Sequence, residues 1–166
     1  QIGFYENELT NNLLHFWLPR CIDTVHGGYF NCFDNTGQHL LSHDKYTWSQ
    51  GRFVWIFAKL AMMDSPTFTA KQKSEFLRLA KSGRDFLARH CLVGPDDWRC
   101  VFLMDEAGHP KTADNGSLDS SIYADCFVIA AFARYALAAD DQASYTFCKN
   151  LYASVLDRLR SGLYKT

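Results

Sequence analysis

Three side chains stand out for the chemistry they could perform: Arg52, Trp48 and Tyr123. The planar guanidinium of an arginine offers five donors and a charge that does not titrate, so it can hold adjacent hydroxyls or a developing oxyanion. Trp48 stands four residues before Arg52 and therefore on the same face of a helix, where its flat ring can stack on a ligand. All three are candidates for ligand binding.

The sequence separation between Arg52 and Tyr123 indicates how Tyr123 could lie close to Arg52 and Trp48. The distance along the chain from Arg52 to Tyr123 equals the distance from Asp34 to Asp105 and from Gly37 to Gly108. The two matched pairs, of aspartates and of glycines, indicate an internal repeat. The repeat predicts that Arg52 and Tyr123 occupy equivalent positions on neighbouring helices and converge on one cavity.

Each of these side chains also has a simpler structural interpretation. Arg52 could be a buried arginine paired with Asp44 or Asp125. Trp48 and Tyr123 could be core aromatics, since aromatics at helical spacing usually are. Asp125 lies in an apolar stretch and needs a partner if it is buried, and a hydrogen bond to a neighbouring inner helix is the first expectation. The residues alone favour the structural interpretation for Arg52 and leave both interpretations open for Trp48 and Tyr123.

The sequence gives little support for a metal site, a phosphate-binding loop or a nucleophilic triad. His39 and His43 are four residues apart, but no carboxylate–histidine set accompanies them, so they are expected in a loop and no metal site is predicted. The two Asp-x-x-Gly segments are expected to be turns, because a calcium site needs several more carboxylates. There is no glycine-rich phosphate loop and no nucleophilic triad, so no cofactor is predicted. Lys45, near the start of a predicted helix, is expected to be solvated.

Composition narrows the class of protein. The chain has 166 residues, of which 48% are hydrophobic and 21% charged, which fits one folded domain and excludes disorder. A net charge of −1 argues against nucleic-acid binding, and the longest apolar stretch, 126–133, is too short to span a membrane. Six cysteines without a C-x-x-C pair predict reduced thiols and hence a cytoplasmic location. The 15% aromatic content indicates a thick core, a stacking platform or both.

Helical periodicity dominates the chain. Five helices are predicted, at about residues 5–18, 46–63, 70–90, 119–139 and 142–161. Thr69 and Gln72 have capping-box spacing at the start of the third helix, Asp140 or Asp141 can cap the fifth, and Gly162 suits its C-terminal end. The apolar face predicted for the fifth helix consists of Tyr145, Cys148, Leu151, Tyr152, Val155 and Leu159.

Two segments, 27–38 and 97–110, differ from the helices. Each is typical of a short strand that leads into an Asp-x-x-Gly turn, where glycine supplies the positive φ. Helix, hairpin and helix therefore occur twice, and a third copy begins at about residue 142. The predicted fold is all-α, a partial toroid of helix pairs with short β-hairpins between the helices. Because the chain stops inside the third copy, residues 1–166 are expected to be the N-terminal portion of a single larger domain, with no separate second domain.

The segment from Phe16 to Leu60 resembles a known family, the N-acylglucosamine 2-epimerase family. The matching residues are Phe16-Trp17-Leu18, Asp23, Gly27-Gly28-Tyr29-Phe30, Asp34, Gly37, Asp44-Lys45, Trp48, Gln50-Gly51-Arg52, Val54-Trp55 and Phe57-Ala58. Residues 121–127 are similar to the family's second inner-helix motif. Relatives include mannose isomerases and cellobiose 2-epimerases, and the resemblance, which spans nearly the whole chain, implies part of an (α/α)6 barrel.

The resemblance implies a sugar 2-epimerase or isomerase, with N-acetylglucosamine and N-acetylmannosamine as the leading substrate pair. In such an enzyme a base removes the C2 proton, an enediolate forms and a proton returns. The resemblance further implies that Arg52 contacts the sugar near the reacting carbons, which makes it the candidate catalytic residue, and that two catalytic histidines lie beyond Thr166. None of the six histidines present matches those two. Some relatives respond to ATP as an effector, although no nucleotide motif occurs here, and a homodimer is left open.

Two other functions stay open at this stage. A glycoside hydrolase on a similar toroid needs two carboxylates across the scissile bond, and only Asp125 is expected on an inner helix. A non-catalytic helical-repeat scaffold would bind a protein on a concave face without a deep pocket. Hydrogen exchange at C2 of candidate sugars in deuterated water separates the three functions, since only the first introduces solvent label.

Overall fold

Helices make up most of this computed structural model, which describes residues 1–114 and 116–166. The N-terminal helical segment consists of α1 (Ile2–Asn7), a π-helical stretch (Glu8–Leu14) and α2 (His15–Trp17). The longer helices are α3 (Thr47–Ala61), α4 (Ala70–His90), α5 (Ile122–Ala139) and α6 (Gln142–Ser161). All five predicted helices are present, but the first begins earlier than expected and its middle is π-helical.

Short strands occupy the two predicted hairpin regions. The first region contains β1 (Cys32–Phe33), β2 (Leu40–Ser42) and β3 (Lys45–Tyr46). The second contains β4 (Leu92–Gly94), β5 (Asp97–Cys100), β6 (Leu103–Met104) and β7 (Pro110–Lys111). β1 pairs with β2 and β4 with β5, while β3, β6 and β7 form a three-stranded sheet in that order, all antiparallel. This last sheet joins the two hairpin regions.

The repeat is visible in the backbone hydrogen bonds of the two turns. The amide of Gly37 donates to the carbonyl of Asp34 at 2.9 Å, and the amide of Gly108 donates to the carbonyl of Asp105 at 3.1 Å. Both glycines have positive φ, 69° and 95°. The Asp-x-x-Gly segments are therefore turns, as predicted.

The starts of α3 and α5 are held by equivalent backbone hydrogen bonds. The first amide of α3, that of Thr47, donates to the carbonyl of Phe102 at 3.1 Å. The first amide of α5, that of Ile122, donates to the carbonyl of Lys165 at 2.8 Å. Relative to α5, Lys165 thus takes the place that Phe102 takes relative to α3, as expected if the segment after α6 opens a further unit.

The helices form two layers. α3 and α5 lie side by side, α4 packs on α3, and α6 packs on α5. α3 and α5 approach closely at Gly51, where an added Cβ would lie only 2.7 Å from the carbonyl oxygen of Phe127. The largest fully buried apolar side chains of the core are Tyr29, Phe57, Phe86, Phe132, Leu87, Met104 and Leu151.

Helix caps lie where the sequence predicts them. Thr69 and Gln72 form a reciprocal capping box at the start of α4. Asp141, rather than Asp140, caps α6 by accepting hydrogen bonds from two backbone amides. Gly162 ends α6 in the left-handed conformation, with φ of 70°.

The apolar face predicted for α6 is partly wrong. Cys148, Leu151 and Val155 are buried, as expected, and Ser144 joins them. The remaining predicted members are about half exposed: Tyr145, Tyr152 and Leu159. Tyr145 and Tyr152 each stand one position after a buried residue, which turns them about 100° away from α5.

The six cysteines are all free thiols, as predicted. Cys21, Cys91, Cys100 and Cys148 are buried, and Cys126 is exposed. Burial raises the pKa of the Cys21 thiol to about 12, against a smaller opposing effect of a backbone hydrogen bond. The buried cysteines therefore behave as small apolar residues.

Among the described helices, α5 is the one that is long and apolar enough to cross a membrane, judged by length and composition alone. Core helices of soluble proteins meet the same criterion. Here α5 packs against α3 and α6 and buries the carboxylate of Asp125. Its apolar residues contribute to the core.

Candidate functional site

Two polar side chains anchor the first turns of α3 and α5 on the hairpins. The amide of Gln50 accepts a hydrogen bond from the backbone N–H of Tyr29 at 2.8 Å and donates one to its carbonyl at 2.7 Å. The carboxylate of Asp125 accepts one from the backbone N–H of Cys100 at 3.1 Å. Tyr29 and Cys100 are separated by the same distance along the chain as the two turn glycines, the period of the repeat. Gln50 and Asp125 are therefore structurally equivalent.

This equivalence corrects the register predicted for the helices. Gln50 and Asp125 are four residues further apart in the sequence than the two turn glycines are. Residues of α5 therefore align with residues of α3 at this larger separation. Trp48 is consequently the counterpart of Tyr123. The prediction that Arg52 and Tyr123 are equivalent is wrong by about one helical turn. The cause is the connection from the turn to the helix, which is four residues longer in the second unit.

Arg52 and Tyr123 nevertheless line the same cleft. It has a volume of about 480 Å³ and lies beside the N-terminal turns of α3 and α5. Its lining residues are Trp48, Arg52, Phe102, Ser121, Tyr123, Ala124 and Phe127. The three side chains singled out in the sequence thus meet on one surface, and their role in binding stays a prediction.

Aromatic rings hold Arg52 in the cleft. Its guanidinium carbon lies 4.6 Å from the centroid of the Trp48 ring and 4.3 Å from that of Phe127. Arg52 is exposed, and among residues 1–114 and 116–166 none forms a hydrogen bond or an ion pair with its side chain. The charge and the donors of Arg52 are therefore available to a ligand.

The carboxylates that could have paired with Arg52 are engaged elsewhere. Asp44 binds Lys111 at 2.6 Å, and Asp125 binds Arg158 of α6 at 2.7 Å. The partners of Asp125 are thus a hairpin amide and an outer helix, rather than the neighbouring inner helix that the sequence suggested. Burial raises the pKa of Asp125, and the hydrogen bond from Arg158 opposes this shift.

Tyr123 and Trp48 differ in exposure. Tyr123 is 61% exposed, which is incompatible with a core role. Its backbone N–H donates to the hydroxyl of Ser121, the N-cap of α5 and a further lining residue. Trp48 is half-buried, and its ring centroid lies 6.5 Å from that of Phe127 across the cleft. Both residues line the open volume of the cleft.

Lys45 is buried, which contradicts the prediction that it is solvated. Its Nζ donates to the carboxylate of Asp23 at 2.6 Å and to the carbonyls of Gly27 and Glu106, each at 2.7 Å. It also lies 4.4 Å from the centroid of the Phe86 ring. Burial lowers the pKa of Lys45, and the hydrogen bond with Asp23 opposes this effect. Lys45 thus ties the segment before α3 to both hairpin regions.

Sequence reasoning missed four cleft residues, Phe102, Ser121, Ala124 and Phe127, of which Phe127 contacts Arg52. Phe127 is the counterpart of Arg52 in the register set by Gln50 and Asp125, so it faces Arg52 across the boundary between α3 and α5. Counting positions from the start of each helix would have revealed it. Counting from the Asp-x-x-Gly turns could not, because the intervening connections differ in length.

The lining of the cleft includes neither a histidine nor a carboxylate. His43 binds Glu106 at 2.8 Å and His109 binds Asp105 at 2.8 Å, both at the exposed surface of the hairpins. Within the described residues no group of three or more His, Cys, Asp or Glu side chains could hold a metal ion. The described lining can bind hydroxyl groups and stabilise negative charge, but it lacks a side chain suited to remove a carbon-bound proton at neutral pH.

Comparison with known proteins identifies the family. The profile of the N-acylglucosamine 2-epimerase (GlcNAc 2-epimerase) family matches residues 28–165. The chain belongs to this family. The matched range contains every residue that lines the cleft, from Trp48 to Phe127.

Individual members of the N-acylglucosamine 2-epimerase family are similar to this chain in sequence, and related solved structures are similar to it in fold. The N-acylglucosamine 2-epimerase of Rattus norvegicus is 32% identical over 117 residues, which cover 70% of this chain and 26% of that protein. The cellobiose 2-epimerase of Bacillus thermoamylovorans B4167 shares the fold, with a TM-score of 0.74 at 21% identity over 92% of this chain and 36% of the other. A D-mannose isomerase matches with a TM-score of 0.69 at 18% identity, over 90% of this chain and 34% of the other. The chain thus spans about a quarter of its curated relative and about a third of these structures.

Proposed function

We propose that this chain forms one wall of the substrate cleft of a sugar 2-epimerase that interconverts N-acetylglucosamine and N-acetylmannosamine. In the reaction the C2–H bond of the open-chain sugar breaks, its electron pair forms a C1–C2 double bond, and the carbonyl oxygen at C1 becomes an enolate oxygen. A base takes the C2 proton, an acid delivers a proton to the opposite face of C2, and the carbonyl re-forms, so no atom is gained or lost. Family membership and the shared fold support this reaction class.

The observation that carries the proposal is the unpaired guanidinium of Arg52 in the cleft. Charge develops on the sugar oxygen as the C2 proton leaves, and a fixed positive group beside that oxygen lowers the barrier. Arg52 has no carboxylate partner within the described residues, and two aromatic rings flank its guanidinium. A paired arginine would have its charge largely cancelled, whereas Arg52 keeps it.

Trp48 and Tyr123 complete the binding wall in this proposal. The Trp48 ring stacks on the apolar face of the sugar, as aromatic rings do in stacking platforms. The exposed Tyr123 hydroxyl donates to, or accepts from, a sugar hydroxyl. Arg52 binds the oxygens nearest the reacting carbons.

The remaining parts of the proposal concern the whole protein. Two histidines outside the residues present here act as base and acid. The chemistry needs no resident cofactor or metal, and ATP acts at most as an effector. The whole protein folds as an (α/α)6 barrel that includes these residues. It is located in the cytoplasm and is either a monomer or a homodimer.

The two alternative functions are less well supported by the site. A glycoside hydrolase needs two carboxylates at the cleft, but Asp125 is 1% exposed and engaged by Arg158 and the backbone of Cys100. A protein-binding scaffold would not require an unpaired arginine between two aromatic rings in a cleft, as Arg52 is between Trp48 and Phe127.

The test uses the gene product expressed from its native coding sequence. Incubation with N-acetylglucosamine in deuterated water should place deuterium at C2 and yield N-acetylmannosamine, both followed by NMR. Arg52→Ala should lower kcat/KM by about 100- to 1000-fold, the effect of losing an oxyanion donor. Arg160→Ala, which removes an arginine that is 74% exposed on α6, is the matched control and should have normal activity. Absence of label at C2 refutes the reaction, and near-normal turnover of Arg52→Ala refutes the role of this residue.

A further inference from the structure

A second cleft adjoins the first on the same surface. It has a volume of about 320 Å³ and is lined by Arg52, Trp55, Ile56, Phe127 and Ala130. Arg52 and Phe127 line both clefts and therefore form a shared wall between them. Apart from Arg52, every side chain that lines the second cleft is apolar, whereas the first also contains Ser121 and Tyr123.

Helix geometry explains the position of the second cleft. Trp55 and Ile56 follow Arg52 by three and four residues on α3, and Ala130 follows Phe127 by three on α5. Both sets lie one turn further along the same helix faces, because residues at these spacings are neighbours on a helix surface. The methyl side chain of Ala130 leaves the space that larger side chains would fill.

The second cleft exposes large apolar side chains. Trp55 is 37% exposed and Ile56 is 42% exposed. The Trp55 ring is held in place by Arg134 of α5, whose guanidinium carbon lies 5.5 Å from the ring centroid. The cleft is thus an ordered apolar surface, to which an apolar group gains free energy by binding.

We infer that the second cleft receives the acyl group of a 2-acylamino sugar whose ring occupies the first cleft. The inference rests on the proposed function, because it takes the sugar to react at C2 beside Arg52. The acyl substituent is attached to that same carbon, so it must lie next to whatever binds the reacting centre. The acyl carbonyl accepts a hydrogen bond from Arg52, and the alkyl end contacts Trp55, Ile56 and Ala130.

This arrangement predicts selectivity for the length of the acyl chain. A sugar with a hydroxyl at C2 leaves the apolar cleft unfilled, and a chain longer than the cleft collides with its floor. One methylene more or less in an apolar pocket changes kcat/KM by about 10-fold or more. The quantity to measure is therefore the ratio of kcat/KM for N-propanoylglucosamine to that for N-acetylglucosamine.

The experiment changes the size of the second cleft in both directions, in the gene product expressed from its native coding sequence. Ala130→Leu fills the cleft and should lower the propanoyl-to-acetyl ratio by about 10-fold or more. Ile56→Ala enlarges it and should raise the ratio. Ala133→Leu makes the same substitution one turn along α5, at an exposed position outside both clefts, and should leave the ratio as in the wild type.

The outcomes separate this inference from the proposed function. Thermal unfolding first establishes that each variant is folded. If the wild type labels C2 but Ala130→Leu and Ile56→Ala keep its propanoyl-to-acetyl ratio, the acyl cleft is overturned and the epimerase stands. If no sugar acquires label at C2 in the wild type, the proposed function fails and the acyl cleft fails with it. Opposite shifts of the ratio in the two variants, with Ala133→Leu unchanged, support the inference.

Discussion

Lys45 and Asp23 form an ion pair that solvent does not reach. The Nζ of Lys45 lies 2.6 Å from Oδ2 of Asp23, and the two side chains are 0% and 3% exposed. Burial by itself would raise the pKa of Asp23, but hydrogen bonds from Lys45 and from the amides of His26 and Val25 outweigh it and lower the pKa. Because Lys45 also bonds to Gly27 in the first hairpin region and to Glu106 in the second, the pair joins two repeat units just before α3.

Lys45→Met should be strongly destabilising. The substitution keeps much of the side-chain volume but leaves Asp23 buried without a counter-charge, which costs about 3–5 kcal/mol. The measurement is the free energy of unfolding from urea denaturation. Lys111→Met is the matched control, because it removes a lysine–aspartate pair with Asp44 whose side chains are 45% and 28% exposed, and its loss should be far smaller. Equal losses for the two variants would contradict the structural role of Lys45.

Gly51→Ala should separate α3 from α5. The new Cβ would lie 2.7 Å from the backbone oxygen of Phe127, and a backbone atom cannot move aside as the end of a side chain can. Overpacking of this kind costs about 1–3 kcal/mol, and it should also lower activity because Arg52 and Phe127 shift apart. Gly3→Ala is the control, because beyond the chain neighbours and the backbone of its own helix no atom lies within 4 Å of the added Cβ, and it should not lower stability. A Gly51→Ala protein with wild-type stability in thermal unfolding would disprove the close helix contact.

Phe127→Leu should weaken catalysis through the position of Arg52. The substitution removes one of the two rings that hold the guanidinium, and a cation–π contact of this kind corresponds to about a 2- to 10-fold change. The effect is expected mainly in kcat of the C2 exchange reaction, since Arg52 acts on charge that develops in the transition state. Phe127→Tyr keeps the ring and should restore most of the activity. If leucine and tyrosine variants behave alike, the ring does not position Arg52.

Asp119 should contribute to stability in a way that disappears in acid. Burial alone would raise its pKa, but hydrogen bonds from Ser117 and Lys165 and the charge of Arg99 lower it from 3.8 to about 2. A pKa lowered in the folded state stabilises the fold at pH above 3.8, and this stabilisation is lost as the pH falls through about 2. Asp119→Asn should therefore be less stable than the wild type at pH 7, and the difference should shrink towards pH 2. Urea denaturation across this range is the measurement, and a difference independent of pH would contradict the assignment.

Local signals in the sequence predicted most of the secondary structure. The capping box of Thr69 and Gln72, the cap at Asp141 and the glycine at the end of α6 each act within one turn of a helix, so neighbouring residues are sufficient to recognise them. The Asp-x-x-Gly turns are local in the same way. Helical periodicity located the longer helices but did not tell which flank of α6 faces α5, which depends on the packing of the two helices.

The candidate site was predicted in part. Arg52, Trp48 and Tyr123 lie on one cleft, as the repeat suggested, but their register differs by one turn from the predicted one. Phe127 and the second cleft were missed, because they depend on which faces of α3 and α5 meet. The spacing of the two turns gives the number of residues from one turn to the next. The register of the helix that follows each turn also depends on the length of the loop between turn and helix.

By itself, the sequence determined the helices, their caps, the two turns, the repeat and the resemblance to a family that comparison then confirmed, because each of these is encoded by residues close together or at fixed spacing. Only the tertiary structure decided that Lys45 is buried, that Asp125 binds Arg158, and that Phe127 lies beside Arg52. Those facts join residues far apart in the chain. Whether a charged side chain is buried depends on the partners that the fold brings close to it. Those partners are distant in the sequence, so the residues next to it in the chain do not reveal them.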